Sequence, residues 1–298
     1  MRDRGSGDMA RTNRAGDKRE TSAAELRSPV KDNGRLREGV AVSLSVIVIT
    51  YNEEDMIERC LASVAWADEI IVLDSGSTDR TVALCRQSGA RVVETDWPGF
   101  GPQKNRALDH VTGTWVLSLD ADEYLPQEAR VEIRAVLAAG PEADAFRMPR
   151  LSRYCGRFMY HGGWYPDYVT RLFRRGRARF SDDLVHERLL VSGPVATLRE
   201  PLRHETYRDL EEVLRKVDSY SSAGAAMAAR KGRRGGVAQA LAHGLWSFVR
   251  TYFVKGGLLD GVEGLMLAIS NAETTYYKYM KLWLLQKQRD RVGESSRK

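Results

Sequence analysis

The chain has 298 residues, of which 43% are hydrophobic and 29% charged, enough for one large α/β domain or two smaller ones around a packed core. Its formal charge of +6 favours an anionic partner, such as a phosphorylated substrate, a nucleic acid or an anionic membrane face. Three widely spaced cysteines argue against a disulfide framework, fit a reducing compartment and lack the CxxC spacing of a structural zinc site.

Two end segments are expected to lie outside the folded part of the chain. Residues 1–41 have mixed charges, no aromatic residue and no apolar central region of a signal peptide, which predicts a disordered tail. Residues 291–298 are predicted to be a second tail. No window of 18 uncharged apolar residues occurs, so we expect no transmembrane helix.

Strand and helix patterns alternate from Val42 onward. The uncharged, β-branched stretch "VSLSVIVIT" predicts a strand buried on both faces, and "EEDMIERCLASVA" has apolar residues at helical spacing. The alternation continues through "EIIVLD", "TDRTVALCRQSG", "ARVVET", "PQKNRALDHV" and "TWVLSLD". It predicts βαβ units with a parallel sheet, and ligands bind such sheets at the carboxyl ends of the strands.

Beyond about Ala145 the alternation stops. The following stretch mixes aromatic residues, glycines and arginines, and predicts strands and loops that lie over the sheet edge. From Arg208 onward the pattern is helical. We therefore divide the chain into an α/β domain over residues 42–207 and a helical subdomain over residues 208–290.

The stretch "VLSLDADEYL" places Asp120, Asp122 and Glu123 at the end of a buried strand. Two aspartates one residue apart can direct their oxygens into one space, as Mg²⁺ and Mn²⁺ require. A DxD pattern alone is more often a solvated turn. Glu123 is expected to be a first-turn acid of the next helix, favoured there by the helix dipole.

Four blocks occur in a specific order: "TYNEE", "LDSGSTDRT", "QKNRAL" and "LDADE". Together they resemble the N-terminal half of an inverting family 2 glycosyltransferase with the GT-A fold. Residues 43–285 further resemble the lipopolysaccharide core β-1,4-glucosyltransferase subgroup, through "HGGWYPDYVTRLFRR", "VHE" and "HETY". The resemblance implies a Rossmann-like mixed α/β sheet flanked by helices, with a helical C-terminal extension, and makes residues 42–207 the catalytic domain.

The resemblance also implies a site for a nucleotide sugar. Asp122 is expected to bind a divalent cation, Mg²⁺ or Mn²⁺, directly, while Asp120 binds the ribose or a water of that cation. The cation would stabilise the charge that builds on the leaving UDP. The residues expected to contact the nucleotide sugar are Tyr51, Glu53, Asp74, Lys104, Asn105 and Asp120.

An inverting transfer needs a general base for the acceptor hydroxyl. By resemblance we expect Glu187 to be this base, with Asp167 or Asp183 as alternatives. The residues expected to contact the acceptor or a phosphate are Trp164, Asp167, Arg171, Arg174 and His186. Core packing is an equal alternative for Trp164, and hydrogen bonding within the protein is one for His186.

The implied reaction moves a hexose, with glucose expected, from a UDP-sugar to a lipid-linked acceptor such as the lipopolysaccharide inner core. The expected location is cytoplasmic and peripheral, on the inner face of the cytoplasmic membrane. C-terminal aromatic residues such as Trp246 and Phe253, near the basic group Arg230, Lys231, Arg233 and Arg234, favour an interfacial helix. Packing of these aromatics inside a helical subdomain is the alternative.

Other functions fit the sequence less well. A dinucleotide-binding oxidoreductase would show GxGxxG after the first strand, and a nucleotidyltransferase would show a glycine-rich phosphate loop there; "ITYNEED" has neither. A non-catalytic nucleic-acid-binding protein would concentrate its basic residues in one groove, whereas here they are spread and carboxylates occupy the expected site. We expect no nucleic-acid partner. A family 2 enzyme acting on another lipid-linked or phosphorylated glycan is the nearest alternative.

Overall fold

A computed structural model of the protein describes residues 42–182 and 187–295, with side chains to residue 289. The tail predicted over residues 1–41 lies outside the described residues, as do two candidate site residues, Asp183 and His186. The described residues belong to one compact unit.

The first four strands form the parallel part of a mixed sheet, in the order β3-β2-β1-β4. Helices connect them, as the alternating pattern predicts. In chain order the elements are β1 (Leu44–Thr50), α1 (Ile57–Val64), β2 (Glu69–Asp74), α2 (Thr81–Gln87), β3 (Arg91–Glu94), α3 (Phe100–Leu108) and β4 (Trp115–Asp120). Thr50 pairs with Asp74, and Ile49 with Asp120, so the carboxyl ends of β1, β2 and β4 meet at one edge.

Alternate residues of β1 supply two separate cores. All seven residues of this strand are buried. Val46 and Val48 pack with Ile57 of α1 on one face, and Ile47 and Ile49 pack with residues of α3 on the other. Successive side chains of a strand point to opposite faces, so a strand covered on both sides lacks the alternation of a half-exposed strand, and β1 carries no charged residue.

The second half of the sheet is mixed. In chain order its elements are β5 (Glu123–Tyr124), α4 (Gln127–Ala138), β6 (Ala145–Tyr154), β7 (Arg157–Phe158), β8 (Asp167–Arg174), β9 (Ala178–Phe180), β10 (Leu189–Val191), β11 (Val195–Thr197) and β12 (Leu202–Tyr207). β8 runs antiparallel to β4 and extends the sheet to the order β3-β2-β1-β4-β8-β6-β12-β5. β7 and β11 pair with β6, and β9 pairs with β10 in a separate hairpin.

Three helices follow the sheet: α5 (Leu210–Arg230), α6 (Val237–Val249) and α7 (Gly261–Ser295). A π-helical turn over Arg250–Val254 continues α6, and a 3₁₀ turn over Gly257–Asp260 leads into α7. α7 packs against both α5 and α6. Among the described residues, no helix is long and apolar enough to cross a membrane.

This architecture confirms the predicted fold class, a mixed α/β sheet flanked by helices with a helical C-terminal extension. β12 ends at Tyr207 and α5 begins at Leu210, on either side of the boundary placed between residues 207 and 208. The division into a catalytic domain and a helical subdomain stays a prediction. The last helix ends at Ser295, inside the segment expected to be a tail.

Candidate active site

A cleft of about 670 Å³ opens at the carboxyl edge of β1, β2 and β4. This is the edge where a parallel sheet is expected to bind its ligand. Four of the predicted site residues line the cleft together: Tyr51, Glu53, Asp120 and Asp122. The other lining residues are Ile49, Thr50, Ser75, Trp97, Phe100, Ala121 and His204.

The loops after β1 and β2 are bound to each other beside this cleft. Asn52 has a positive φ of 54°, and its side-chain oxygen accepts a hydrogen bond from Thr78 N at 2.8 Å. Asp74 is buried, and its Oδ2 accepts from the backbone nitrogens of Gly76 and Ser77 at 2.9 and 2.8 Å. Asp74 therefore shapes the turn next to the cleft. Its contact with the base or the ribose stays a prediction.

Glu53 and Tyr51 follow β1 directly. Burial, with a further contribution from the nearby Asp122 carboxylate, raises the pKa of Glu53 to about 7. Tyr51 keeps 56% of its surface exposed, which leaves its ring available to a planar ligand group. The cleft thus offers a carboxyl group that changes charge near neutral pH and an accessible aromatic face.

Asp120 is held by two cations. Lys104, which is buried on α3, places its Nζ 2.8 Å from Asp120 Oδ1, and Arg171 of β8 places Nη2 2.6 Å from Oδ2. Burial by itself would raise the pKa of Asp120, but Arg171 and Lys104 outweigh it and hold the pKa well below its usual range. Asp120 is therefore a fixed, ionised carboxylate at the floor of the site.

Glu123 is not the first-turn acid that the sequence suggests. It lies in β5 with no exposed surface, whereas α4 begins at Gln127. Its carboxylate accepts from Arg171 Nη2 at 2.6 Å and from the backbone nitrogen of Asp120 at 3.0 Å. The prediction was wrong because the chain turns back as a short strand against β12, and the buried acid is needed to neutralise Arg171.

Asp122 faces a histidine that sequence reasoning missed. His204 of β12 places Nε2 3.2 Å from Asp122 Oδ2, and its Nδ1 lies 3.0 Å from Ser152 Oγ and 2.9 Å from Thr206 Oγ1. Burial tends to lower the pKa of His204, but the hydrogen bond to Asp122 outweighs it and raises the pKa above its usual value. The signal was present in "HETY", a block that resembles the subgroup, but nothing in the sequence paired it with the DxD strand.

Lys104 also connects the site to Glu187, the predicted base, because Lys104 Nζ lies 2.9 Å from Glu187 Oε1. Its neighbour Asn105 is not among the residues that line the cleft. The Asn105 side chain donates to Phe180 O and accepts from Phe180 N, both at 2.9 Å, so it fastens β9 to α3. These bonds give Asn105 a structural role, and its nucleotide contact stays a prediction.

Three further candidates have other contacts. Trp164 packs its ring 5.5 Å from Tyr154 and 5.8 Å from Tyr207, which favours the packing alternative. Asp167 is bound by Arg150, with Nη2 2.6 Å from Oδ2. Arg174 pairs in the sheet with Trp115, the first residue of β4, whereas Asp120 is the last, so Arg174 lies away from this cleft and its acceptor or phosphate contact stays a prediction.

Two aromatic residues that line the cleft were not predicted from the sequence. Trp97 and Phe100 pack edge to face with ring centroids 4.8 Å apart, and each keeps nearly half of its surface exposed. They belong to "WPGF", a loop between a predicted strand and a predicted helix. Exposed aromatic residues at such a position were a usable signal, because loops after parallel strands form the ligand-binding edge.

The described residues hold no group of three or more His, Cys, Asp or Glu side chains that could bind a metal ion by themselves. The fit to a divalent cation therefore rests on Asp122 and His204. Both line the cleft, and a carboxylate oxygen and an imidazole nitrogen are suitable donors for Mn²⁺. A site with two protein ligands fits a cation that takes its remaining ligands from water and substrate phosphates.

The sequence matches known proteins. The family described as "Glycosyl transferase family 2" matches residues 45–197. A lipopolysaccharide core biosynthesis glycosyltransferase, LpsC of Rhizobium meliloti, is 30% identical over 80% of this chain and 92% of that protein. A TPR repeat-containing protein of Synechococcus elongatus is 41% identical over 50% of this chain, which spans only 36% of that relative.

Among solved structures, the chain is similar to glucosyl-3-phosphoglycerate synthase from Mycobacterium tuberculosis, solved with Mn²⁺, uridine diphosphate and glucosyl-3-phosphoglycerate. The identity is 31% and the TM-score 0.33, over 38% of this chain and 45% of that one.

Proposed function

The chain belongs to glycosyl transferase family 2 and is a glycosyltransferase, and on this premise we propose that it moves a hexose, glucose, from a UDP-sugar to a lipid-linked acceptor such as the lipopolysaccharide inner core, with inversion. One observation carries the proposal. Asp120 ends β4 and Asp122 follows it in the cleft; two buried cations fix Asp120, whereas within the described residues the ion pair of Asp122 is with His204. The Asp120 carboxylate is thereby held in place by the protein, and the Asp122 carboxylate is available to a ligand.

A divalent cation, Mg²⁺ or Mn²⁺, would be held by Asp122 and by His204 Nε2. When bound, such an ion supplies Lewis-acid stabilisation of the diphosphate leaving group. Nε2 can bind the metal ion only if the ring proton sits on Nδ1. From Nδ1 that proton can be donated in a hydrogen bond to the hydroxyl oxygen of Ser152 or Thr206. Asp120, expected from the sequence to share in metal binding, contributes by fixing the end of the strand.

The nucleoside would lie among the aromatic residues of the cleft. Tyr51, Trp97 and Phe100 line the cleft and are accessible, so they can cover a uracil ring. Glu53 can hydrogen-bond a ribose hydroxyl in either of its protonation states. Lys104 supports this arrangement indirectly, because its ammonium group is already engaged by Asp120 and Glu187.

Glu187 is the proposed general base. Lys104 Nζ bridges Asp120 and Glu187 with contacts of 2.8 and 2.9 Å, which keeps the Glu187 carboxylate next to the DxD strand. The alternative Asp167 is bound by Arg150, and two hydrogen bonds, of 2.6 and 3.0 Å, occupy one of its oxygens. The third candidate, Asp183, lies outside the described residues.

The acceptor class rests on the likeness to LpsC, whose name assigns it to lipopolysaccharide core biosynthesis. A lipid-linked acceptor would require the protein to work at a membrane surface, and we propose a peripheral position on the inner face of the cytoplasmic membrane. The +6 formal charge supports contact with anionic headgroups.

The test is a screen of nucleotide sugars against acceptors with mass-spectrometric detection. Purified protein is incubated with Mn²⁺, a panel of UDP- and GDP-hexoses, and inner-core lipopolysaccharide or other lipid-linked glycans. The proposal expects UDP release and a mass gain of one hexose on the core acceptor. Transfer only to a different glycan would retain the enzyme class and reject the acceptor, while release of no nucleotide from any donor would reject the reaction.

A further inference from the structure

Five large apolar side chains are exposed at the turn that joins α6 to α7. We name this cluster the apolar tip, and it consists of Phe253, Val254, Leu258, Leu259 and Val262. Each side chain of the apolar tip keeps between 45% and 69% of its surface exposed. Such a concentration of exposed apolar surface marks an interaction site rather than an ordinary solvated turn.

The apolar tip is attached to the sheet through the loop that precedes β8. Gly162 N donates to Lys255 O at 2.9 Å, and the buried Asp260 carboxylate accepts from His161 N at 2.7 Å. His161 Nδ1 lies 3.0 Å from the same carboxylate. The next strand, β8, carries Arg171 into the active site, so the tip is tied to the segment that leads to the cleft.

The helix that leads to the apolar tip has an apolar stripe of its own. Val237, Leu241 and Leu245 recur every fourth residue, which places them on one face of α6, and all three are exposed. Trp246 lies beside this stripe and is also exposed. α6 and its π-helical turn cover 18 residues, about 27 Å at the rise of an α-helix.

Residues 230–259 carry charges of one sign, and the next acid along the chain, Asp260, is buried against His161. Residues 230–259 contain six Lys or Arg residues and no Asp or Glu, so this segment carries a charge equal to the whole formal excess of the chain. Arg233 and Arg234 lie just before the stripe, and Arg250 and Lys255 lie at its other end. Within the described part of the chain, the pairs recorded between oppositely charged side chains include none of these six cations.

We propose that the apolar tip and the α6 stripe form a docking surface for an anionic phospholipid bilayer, into whose headgroup layer the tip inserts. Exposed apolar side chains between unpaired cations are what such a surface requires. A second copy of this chain fits less well, because it would bring six more unpaired cations against the first six. A nucleic acid would pair with the cations and leave the apolar tip in water.

This inference deepens the proposed function, on whose lipid-linked acceptor its purpose rests, but the contact is testable without catalysis. Purified full-length protein is floated with vesicles of phosphatidylcholine alone and of phosphatidylcholine with phosphatidylglycerol. We expect binding to the anionic vesicles, weaker binding as salt rises, and at least tenfold weaker binding to phosphatidylcholine alone.

Two pairs of double variants separate the apolar and the basic contributions. Val254→Glu with Leu259→Glu should abolish flotation, whereas Val131→Glu with Leu190→Glu, which replaces side chains of α4 and β10 that are also more than half exposed, should not. Arg233→Gln with Arg234→Gln should weaken binding to anionic vesicles about 25-fold, from about fivefold for each cation near an anionic surface. Arg91→Gln with Arg175→Gln should change it little.

Several results would overturn the inference. These are no flotation with anionic vesicles, equal losses in both members of a variant pair, or a dimer in light scattering that the tip variant disrupts while vesicle binding is absent. Tighter binding to RNA that is insensitive to the tip variant would also overturn it. UDP-glucose binding is measured on the same preparations: protein that binds the sugar nucleotide but no vesicle contradicts this inference alone, and the reverse contradicts the proposed function alone.

Discussion

Lys104 Nζ lies 2.8 Å from Asp120 Oδ1 and 2.9 Å from Glu187 Oε1, with 1% of the lysine side chain exposed. Arg171 holds the other oxygen of Asp120. One buried ammonium group thus joins the DxD strand to the segment that carries the proposed base. The two aspartates of the DxD motif consequently differ. Asp120 is bound by two protein cations, whereas the ion pair of Asp122 within the described residues is with His204.

Lys104→Met should destabilise the protein by about 3 kcal/mol, because Asp120 Oδ1 and Glu187 Oε1 both lose their ammonium partner in a largely buried site. Urea unfolding followed by circular dichroism measures the change. Arg106→Met is the matched control on the same helix, since Arg106 pairs with the exposed Asp96. Its effect should be much smaller, as surface ion pairs contribute little. Equal losses of unfolding free energy in the two variants would show that the buried ion pairs of Lys104 stabilise the protein no more than a surface ion pair does.

Asp122→Asn and His204→Gln should each weaken Mn²⁺ binding in the presence of UDP by at least tenfold. Loss of Lewis-acid stabilisation should lower turnover about 100-fold or more. Electron paramagnetic resonance of free Mn²⁺ measures binding without any need for turnover. Asp55→Asn, which removes an exposed carboxylate that pairs with Arg208, is the control and should bind as the parent does. Normal Mn²⁺ binding by both site variants would disprove the assigned ligands.

Glu53 makes stability depend on pH in a defined direction. Its pKa rises from 4.5 to about 7 on folding, so between these values the folded protein binds more protons at this group than the unfolded chain does. Stability should therefore fall as pH rises from about 4.5 to 7, by about 1 kcal/mol once partial exposure is taken into account.

Glu53→Gln should remove this pH dependence, so the variant gains stability relative to the parent above pH 7. Thermal unfolding in EDTA from pH 4.5 to 8 tests the expectation, with Glu54→Gln as the neighbouring control. A constant difference between Glu53→Gln and the parent across this range would contradict it.

Glu187→Gln should bind UDP-glucose with nearly unchanged affinity and lose hexose transfer by about 100-fold or more, the usual contribution of a general base. Calorimetry gives the first quantity and product formation the second. Asp167→Asn, which disturbs only the pair with Arg150, should retain most of its transfer activity. The opposite pattern would make Asp167 the base.

The sheet and the general position of the site were predictable from the sequence. β1 is uncharged and mostly apolar because both of its faces are covered, and the carboxyl ends of parallel strands meet at one edge whatever the details of the loops. That argument alone brings Tyr51, Glu53, Asp120 and Asp122 together, as the cleft has them.

Long-range pairings were not predictable. His204 is 82 residues from Asp122 along the chain and reaches it only because β12 joins β5 at the end of the sheet. Glu123 was predicted to lie in the first turn of a helix because no local pattern indicates its pairing with Arg171, 48 residues later. The position of Arg174 opposite Trp115, at the start of β4, follows from the antiparallel register of β8, which no local pattern shows.

The most direct test of the central claim is the mass and anomeric configuration of the product formed from UDP-glucose and an inner-core lipopolysaccharide acceptor with Mn²⁺. The account predicts a mass gain of one hexose on the acceptor, a β-linkage by NMR, and loss of the product with Asp122→Asn. An α-linked product, or equal product with Asp122→Asn, would contradict it.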